Sequence, residues 1–205
     1  MAEDPTTAPE KSDEKVIEDA GLDPEPGTEE EASYEEEQLP ESWFITGANG
    51  NLGQRLIRKL LSEGADVTAV VRSTRAEREL SQAVNFNNKL RIEVIDYSET
   101  MLLGQAAYGA QFAVHLVGIL KATKDATYAK AHEASCTSLS RALKGTSVEH
   151  ITYLSILGAK PSSSNPCLAS KGRAERILYR SATPACTLRI PLSLIHISEP
   201  TRLIG

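Results

Sequence analysis

The stretch ITGANGNLG, residues 45–53, sets Gly47, Gly50 and Gly53 in a GxxGxxG pattern. Immediately upstream, SWFIT reads as a short apolar strand. Downstream, NLGQRLIRKLLSEG places Leu52, Leu56, Ile57, Leu60 and Leu61 on one helical face and stops at Gly64. A strand that turns through glycines into a helix has a physical use. Gly47 permits the tight turn, Gly50 lets the backbone approach a pyrophosphate, and Gly53 lets the helix pack against the strand. The amides of Asn51 and Leu52 open the helix, so its positive end faces the phosphates. A merely structural turn is the alternative. The place of the loop between a strand and a helix, at the first βα turn, favours the phosphate site.

The alternation continues outward. DVTAVVRS, LRIEVIDYS, QFAVHLVG, VEHITYLSIL and ACTLRI read as five further strands. Between them lie helical patterns: RAERELSQAV, a short helix over 101–108, DATYAKAHEASCTSLSRALKG closed by Gly145, and NPCLASKGRAERILYRSA. The strands are continuous apolar runs, as a parallel sheet covered on both faces requires. Right-handed crossovers make it doubly wound, with its ligand crevice at the strand carboxyl ends between the first and fourth strands.

Two residues at strand ends bear on the ligand. Arg72 ends the second strand, 19 residues after Gly53. An acidic residue there would bind the ribose 2′-hydroxyl of NAD, whereas an arginine suits the 2′-phosphate of NADP. A solvated strand-end arginine is the plainer alternative. Asp96 ends the third strand and could reach an adenine amino group or simply cap a turn.

Charge divides the chain. Residues 1–40 carry 15 of the 28 acidic side chains and only Lys11 and Lys15 as bases, a net −13. Self-repulsion and few apolar groups predict a disordered acidic leader over 1–41, with a docking segment for a basic partner as the alternative. The remainder, net +7, lacks basic clusters interleaved with aromatics, so no nucleic acid partner is expected. FAVHLVGIL, the longest apolar stretch, is far short of the ~20 residues of a membrane span. No secretory signal stands at the N-terminus. Cys136, Cys167 and Cys186 are odd in number and have no metal spacing, which predicts reduced thiols, a cytoplasmic setting and no metal.

TGANGNLG, VVRS, VIDYSE, HLVGIL, YLSILGA and SKGRAE, in this order, resemble the extended or atypical short-chain dehydrogenase/reductases. VHLVGIL, TYAKAHEAS and LSILGA are most similar to the NAD(P)-binding accessory subunits of respiratory complex I, with NmrA-like sensors as near relatives. The resemblance covers Trp43 to about Pro191. It implies an α/β, doubly wound parallel Rossmann sheet over 42–191. It also implies cofactor contacts from Gly47, Asn49, Gly50, Asn51, Leu52, Gly53, Arg72, Asp96, Leu116, Val117, Gly118 and Lys171. NADP(H) is favoured over NAD(H) because of Arg72.

Catalytic members of this superfamily use Ser, Tyr and Lys, the tyrosine four residues before the lysine. Ser155 and Lys171 match two of these, and Cys167 stands at the tyrosine position. A free phenol has a pKa of about 10 and needs the lysine to work near neutrality. A thiol is shorter and would not reach the same substrate oxygen, so weak or absent catalysis is expected and a structural, assembly or redox-sensing role implied. An NADP-dependent oxidoreductase, or a sugar-nucleotide-type epimerase or dehydratase relative, is the alternative. Tyr153 and Tyr179 are out of register to replace the missing phenol. His132, four residues after Tyr128, reads with it as facing the sheet; a packed helix histidine and a catalytic one both fit.

The last stretch departs from this pattern. LSLIHISEPTR, Leu192 to Arg202, resembles the translation of a transposase-type sequencing adapter, eleven consecutive residues in one frame. The expectation is therefore a non-native tail over 192–205 and a sheet truncated after about the sixth strand. The remaining sheet, the substrate domain and any protein partner's surface would then belong to a C-terminal half not represented here.

Overall fold

The computed structural model describes residues 41–85 and 87–191. The expected tail, 192–205, and all of the expected leader, 1–41, except Glu41 lie outside them. The described chain forms six strands: β1 (Ser42–Thr46), β2 (Asp66–Val71), β3 (Leu90–Val94), β4 (Phe112–His115), β5 (His150–Ile156) and β6 (Ala185–Ile190). Their order across the sheet is β3-β2-β1-β4-β5-β6, with every neighbouring pair parallel. This is the doubly wound Rossmann arrangement, and the order reverses between β1 and β4.

Five α-helices connect the strands: α1 (Asn51–Ser62), α2 (Thr74–Val84), α3 (Thr100–Ala106), α4 (Ser135–Ala142) and α5 (Pro166–Tyr179). Ile57 and Leu60 bury the apolar stripe of α1, but Leu52 lies outside it, 46% exposed. Ser73 caps α2 by accepting the Ala76 N–H, and Asn165 caps α5 by accepting from Cys167 and Leu168. One side of the sheet packs Phe44, Val70, Ala113, Ile151 and Tyr153 against Leu103, Leu139, Leu143 and Leu178. The other packs Ile45, Val67, Ala69 and Val71 against Ile57, Leu60 and Leu80. Both faces of the central strands β1, β2, β4 and β5 are therefore covered, as their apolar runs require. The edge strands depart from that expectation: β3 alternates Arg91 and Glu93 with apolar residues, and β6 has no buried residue and leaves Leu188 exposed.

Two expected elements change at their ends. The fourth strand stops at His115, where Leu116 donates its last ladder bond to Thr46. β1 ends at Thr46, and pairing with β5 also stops at His115 although β5 runs on to Ile156, so residues 116–119 leave the sheet as a loop rather than more strand. The long helix begins as a π-helical segment, Ala129–Ala134, that runs into α4. Asp96 lies two residues beyond β3 rather than at its end.

Candidate functional site

The glycine loop opens onto a cleft of about 210 Å³ at the carboxyl end of the sheet. Gly47, Asn49, Gly50, Arg72, Asp96, Leu116, Val117 and Gly118 line it, so eight of the proposed cofactor contacts converge. Asn51, Leu52, Gly53 and Lys171 are not among the lining residues. Tyr97, Ser98, Asp125, Lys130 and Ser135 line it as well, and the sequence reading had not singled them out for the cofactor.

The loop leaves no room for a side chain at Gly47 or Gly53. Gly47 has φ +76°, and a Cβ there would stand 2.9 Å from the Leu116 carbonyl carbon. A Cβ on Gly53 would meet the Ala48 backbone at 2.5 Å, which shows how closely α1 lies on the loop. Gly50 is the N-cap of α1. No side chain caps that end, and its first turn holds no acidic residue. A positive helix end without a carboxylate beside it is suited to an anion such as a pyrophosphate.

Around this loop the strand ends are tied by Tyr97. Its hydroxyl accepts the Gly47 N–H at 2.9 Å and donates to the Val70 carbonyl at 3.3 Å. The Arg72 guanidinium sits 5.8 Å from the centre of the same ring. The Asp96 carboxylate accepts from both the backbone N–H and the hydroxyl of Ser98, at 2.9 and 2.7 Å. Those bonds hold its pKa below the usual carboxylate value. Asp96 is thus a turn-forming residue that also faces the cleft.

The catalytic-position residues lie elsewhere. Ser155, Cys167 and Lys171 are all buried, and none lines the cleft. The Ser155 hydroxyl is fully buried with no hydrogen-bond partner among the described residues. Cys167 directs its thiol at the Ile119 carbonyl, 3.6 Å away, and burial raises its pKa although Lys171 pulls the other way. Lys171 donates to the Leu154 carbonyl at 2.8 Å and lies 4.6 Å from the centre of the Tyr153 ring. Burial lowers its pKa to about 8. Tyr153 is thus beside the lysine, approaching from the sheet rather than from α5. Its burial raises the phenol pKa well above the ordinary value, so it is not poised to give up a proton. A Cβ on Gly118 would stand 2.9 Å from Lys171 Nζ, so this glycine lets the cleft wall close over the ammonium.

Two histidines complete the buried region. His115 Nδ1 meets the Thr46 hydroxyl at 2.6 Å, and its Nε2 meets the Ser135 hydroxyl at 3.2 Å. Ser135 itself donates to the Ala131 carbonyl, so it accepts from Nε2–H, and Thr46 donates to Nδ1. Nε2 of His132 is 3.1 Å from both backbone polar atoms of Ile119, while its Nδ1 has no partner among the described residues. His132 is fully buried and stacks on Tyr128. Tyr128 is half-buried against the cluster of Ile156, at the end of β5, Ala159 and Cys167, and its hydroxyl donates to the Leu120 carbonyl in the loop after β4.

All three cysteines are free. Among the described residues no group of three His, Cys, Asp or Glu is placed to hold a metal, and no helix is long and apolar enough to cross a membrane.

Residues 47–192 match the sequence model of a family described as NAD(P)H-binding. The ceramide reductase of Caulobacter vibrioides is 27% identical over 149 residues, which cover 72% of this chain and 44% of that protein. The 40 kDa subunit of mitochondrial NADH-ubiquinone oxidoreductase from Neurospora crassa is 24% identical, over 76% of this chain and 41% of the subunit. This chain therefore spans less than half the length of the curated relatives it matches. Gre2 of Candida albicans, solved with NADPH, superposes with a TM-score of 0.64 at 17% identity, over 74% of this chain and 58% of that one. That likeness is one of fold and does not carry over its cofactor.

Proposed function

The chain belongs to the NAD(P)H-binding family, and from that premise we propose that it binds NADPH in this cleft and performs little or no hydride chemistry. The observation that carries the reading is Arg72, a cation at the end of β2 lining the same cleft as Gly47 and Gly50. The bare amino end of α1 would hold the pyrophosphate, Arg72 the 2′-phosphate, and Asp96 the adenine side. A bound cofactor would bring the capacity for hydride transfer; the chain's own groups hold and orient it.

The proton-handling groups support weak catalysis. Cys167 is a neutral thiol engaged with Ile119, and Lys171 is turned to Leu154 and Tyr153. Likeness to a subunit of a larger oxidoreductase supports a structural, assembly or redox-sensing role with a protein partner. Three free thiols suit a reducing compartment, with the cytoplasm the expected one. A second reading is favoured by the reductase likeness and by a lysine with a pKa of about 8. In it, the chain is the cofactor half of an NADP-dependent oxidoreductase, or of an epimerase or dehydratase relative, using Ser155 and Lys171.

Fluorescence titration with both cofactors tests the first reading. The parent chain is expected to bind NADPH about ten-fold or more tighter than NADH, since a charged phosphate contact is worth about 1.5–3 kcal/mol. Arg72→Asp should abolish or reverse that preference. Equal affinities of the parent for the two cofactors would sink the NADPH assignment. Steady oxidation of NADPH with a carbonyl or quinone substrate would move the conclusion to the second reading.

A further inference from the structure

We propose that Tyr97 is a positioning residue with two separable jobs: its hydroxyl fixes the glycine loop, and its ring aims Arg72 at the 2′-phosphate. This inference rests on the reading that the cleft takes a dinucleotide.

The β1–β2 ladder runs from Ser42↔Asp66 to Thr46↔Val70 and ends there. Beyond it the strands splay, because the chain must turn at Gly47 into α1. The next amides have little left to bond. Ala48 N–H reaches the Val70 carbonyl only at 3.4 Å. Gly47 N–H is taken by the Tyr97 hydroxyl, which in turn donates to the same Val70 carbonyl. One oxygen, delivered by the segment after β3, thus bridges β1 and β2 where their own pairing fails. Tyr97 is 8% exposed and packed among core residues that include Phe44 and Val70, so the hydroxyl is held from behind. Without it, the half-buried Gly47 N–H loses this acceptor, and the loop has one anchor fewer.

The ring serves a different contact. Arg72 is exposed and forms none of the chain's close ion pairs among the described residues. The Tyr97 ring, its centre 5.8 Å from the guanidinium, is the aromatic face beside it, and the Asp96 carboxylate is a charge that acts on it from the same side of the cleft. An arginine kept near one orientation loses less freedom on meeting a phosphate, so affinity rises through preorganisation.

The two jobs predict different patterns of loss. Tyr97→Phe keeps the ring and removes the tie. It should weaken NADPH and NADH alike, by about three- to ten-fold, and leave their ratio unchanged. Tyr97→Leu removes both, and should in addition lower the NADPH-to-NADH affinity ratio by about two- to five-fold. A residue that only stabilised the fold would not move this ratio. In an Arg72→Ala background, Tyr97→Leu should no longer change the ratio, because the ring acts through that arginine.

The measurement is fluorescence titration of the full chain and these variants with both cofactors, each variant checked for folding by circular dichroism. Tyr97→Phe retains the buried ring and keeps the test available if Tyr97→Leu does not fold. Parent-like affinities for Tyr97→Phe overturn the hydroxyl's role, and an unchanged ratio in Tyr97→Leu overturns the ring's. A parent that binds both cofactors, with variants that match it, overturns this inference alone. A parent that binds neither overturns the reading of the cleft and this inference with it.

Discussion

The two ends of the crevice are built from the same kinds of residue and treated in opposite ways. Around the glycine loop, polar groups face outward: the cap of α1 has no side chain on it, and Arg72 and Asp96 line an open cleft. Around β5 and α5, polar groups are sealed in: Ser155, Lys171, His115 and His132 are all 6% exposed or less. The first region is an open surface of polar groups and backbone amides. The second is a buried region in which Lys171 meets a carbonyl and a ring, His115 two hydroxyls, His132 the Ile119 backbone, and the Ser155 hydroxyl no partner among the described residues. Motif spacing alone does not separate the two, since burial decides what a serine or lysine can do.

The contrast can be broken most forcefully with acid. Burial, first, then Lys171 and His132, lowers the His115 pKa to about 3; burial and Lys171 lower that of His132 to about 4. In the unfolded chain both return to about 6.5. As the pH falls below 6.5 the unfolded chain takes up protons that the folded chain refuses, so stability is lost. Between pH 7 and pH 5 that loss is about 2 kcal/mol per histidine and about 4 kcal/mol for the pair, a large part of a typical domain's stability. Asp96 and Glu133, whose pKa values are lowered from already acidic values, act below this window. Urea unfolding at the two pH values measures it, and His115→Gln should remove about half of the difference. A pH-independent midpoint would mean that this region is wet and that the contrast is false.

On the open side, the largest effect is expected from Gly47→Val. The substitution demands φ +76° of a β-branched residue and drives Cβ into the Leu116 backbone. The loop must move, so NADPH affinity should fall about 100-fold or more, with far-ultraviolet circular dichroism retained. A variant that folds and binds like the parent would show that the loop conformation is not what holds the cofactor.

These differences also explain what could be read in the sequence. The sheet order and the glycine loop were legible because unbroken apolar strands and GxxGxxG are local patterns with a fixed physical meaning. Arg72 was legible for the same reason, as a charge at a strand end. Tyr97 was not, because its importance lies in a bond to Gly47, fifty residues away. LVG is as apolar as the strand before it, so the sequence does not mark the end of the fourth strand; pairing stops at His115 with both β1 and β5. Tyr153 is out of register with Lys171 in the sequence, yet the sheet brings its ring to 4.6 Å from the ammonium, a proximity that sequence spacing does not show. The π-helical segment has no sequence signature of its own, and it places Ser135 where it can accept from His115.

The smallest predicted effect is the one that bears most directly on catalysis. Cys167 holds the place where a phenol would be needed, four residues before Lys171 on one face of α5. If the thiol transferred protons, it would need a pKa near the working pH and a free path to a substrate oxygen. Instead burial raises its pKa, its sulfur contacts the Ile119 carbonyl, and it does not line the cleft. Serine keeps the size and the contact while removing the ionisable thiol. Cys167→Ser should therefore leave NADPH affinity, and any residual NADPH oxidation, within about two-fold of the parent, since removing one weak thiol contact costs little. A ten-fold fall in turnover at unchanged affinity would place the thiol in the proton path. The buried region would then open during reaction, and its sealed state would be only its resting form.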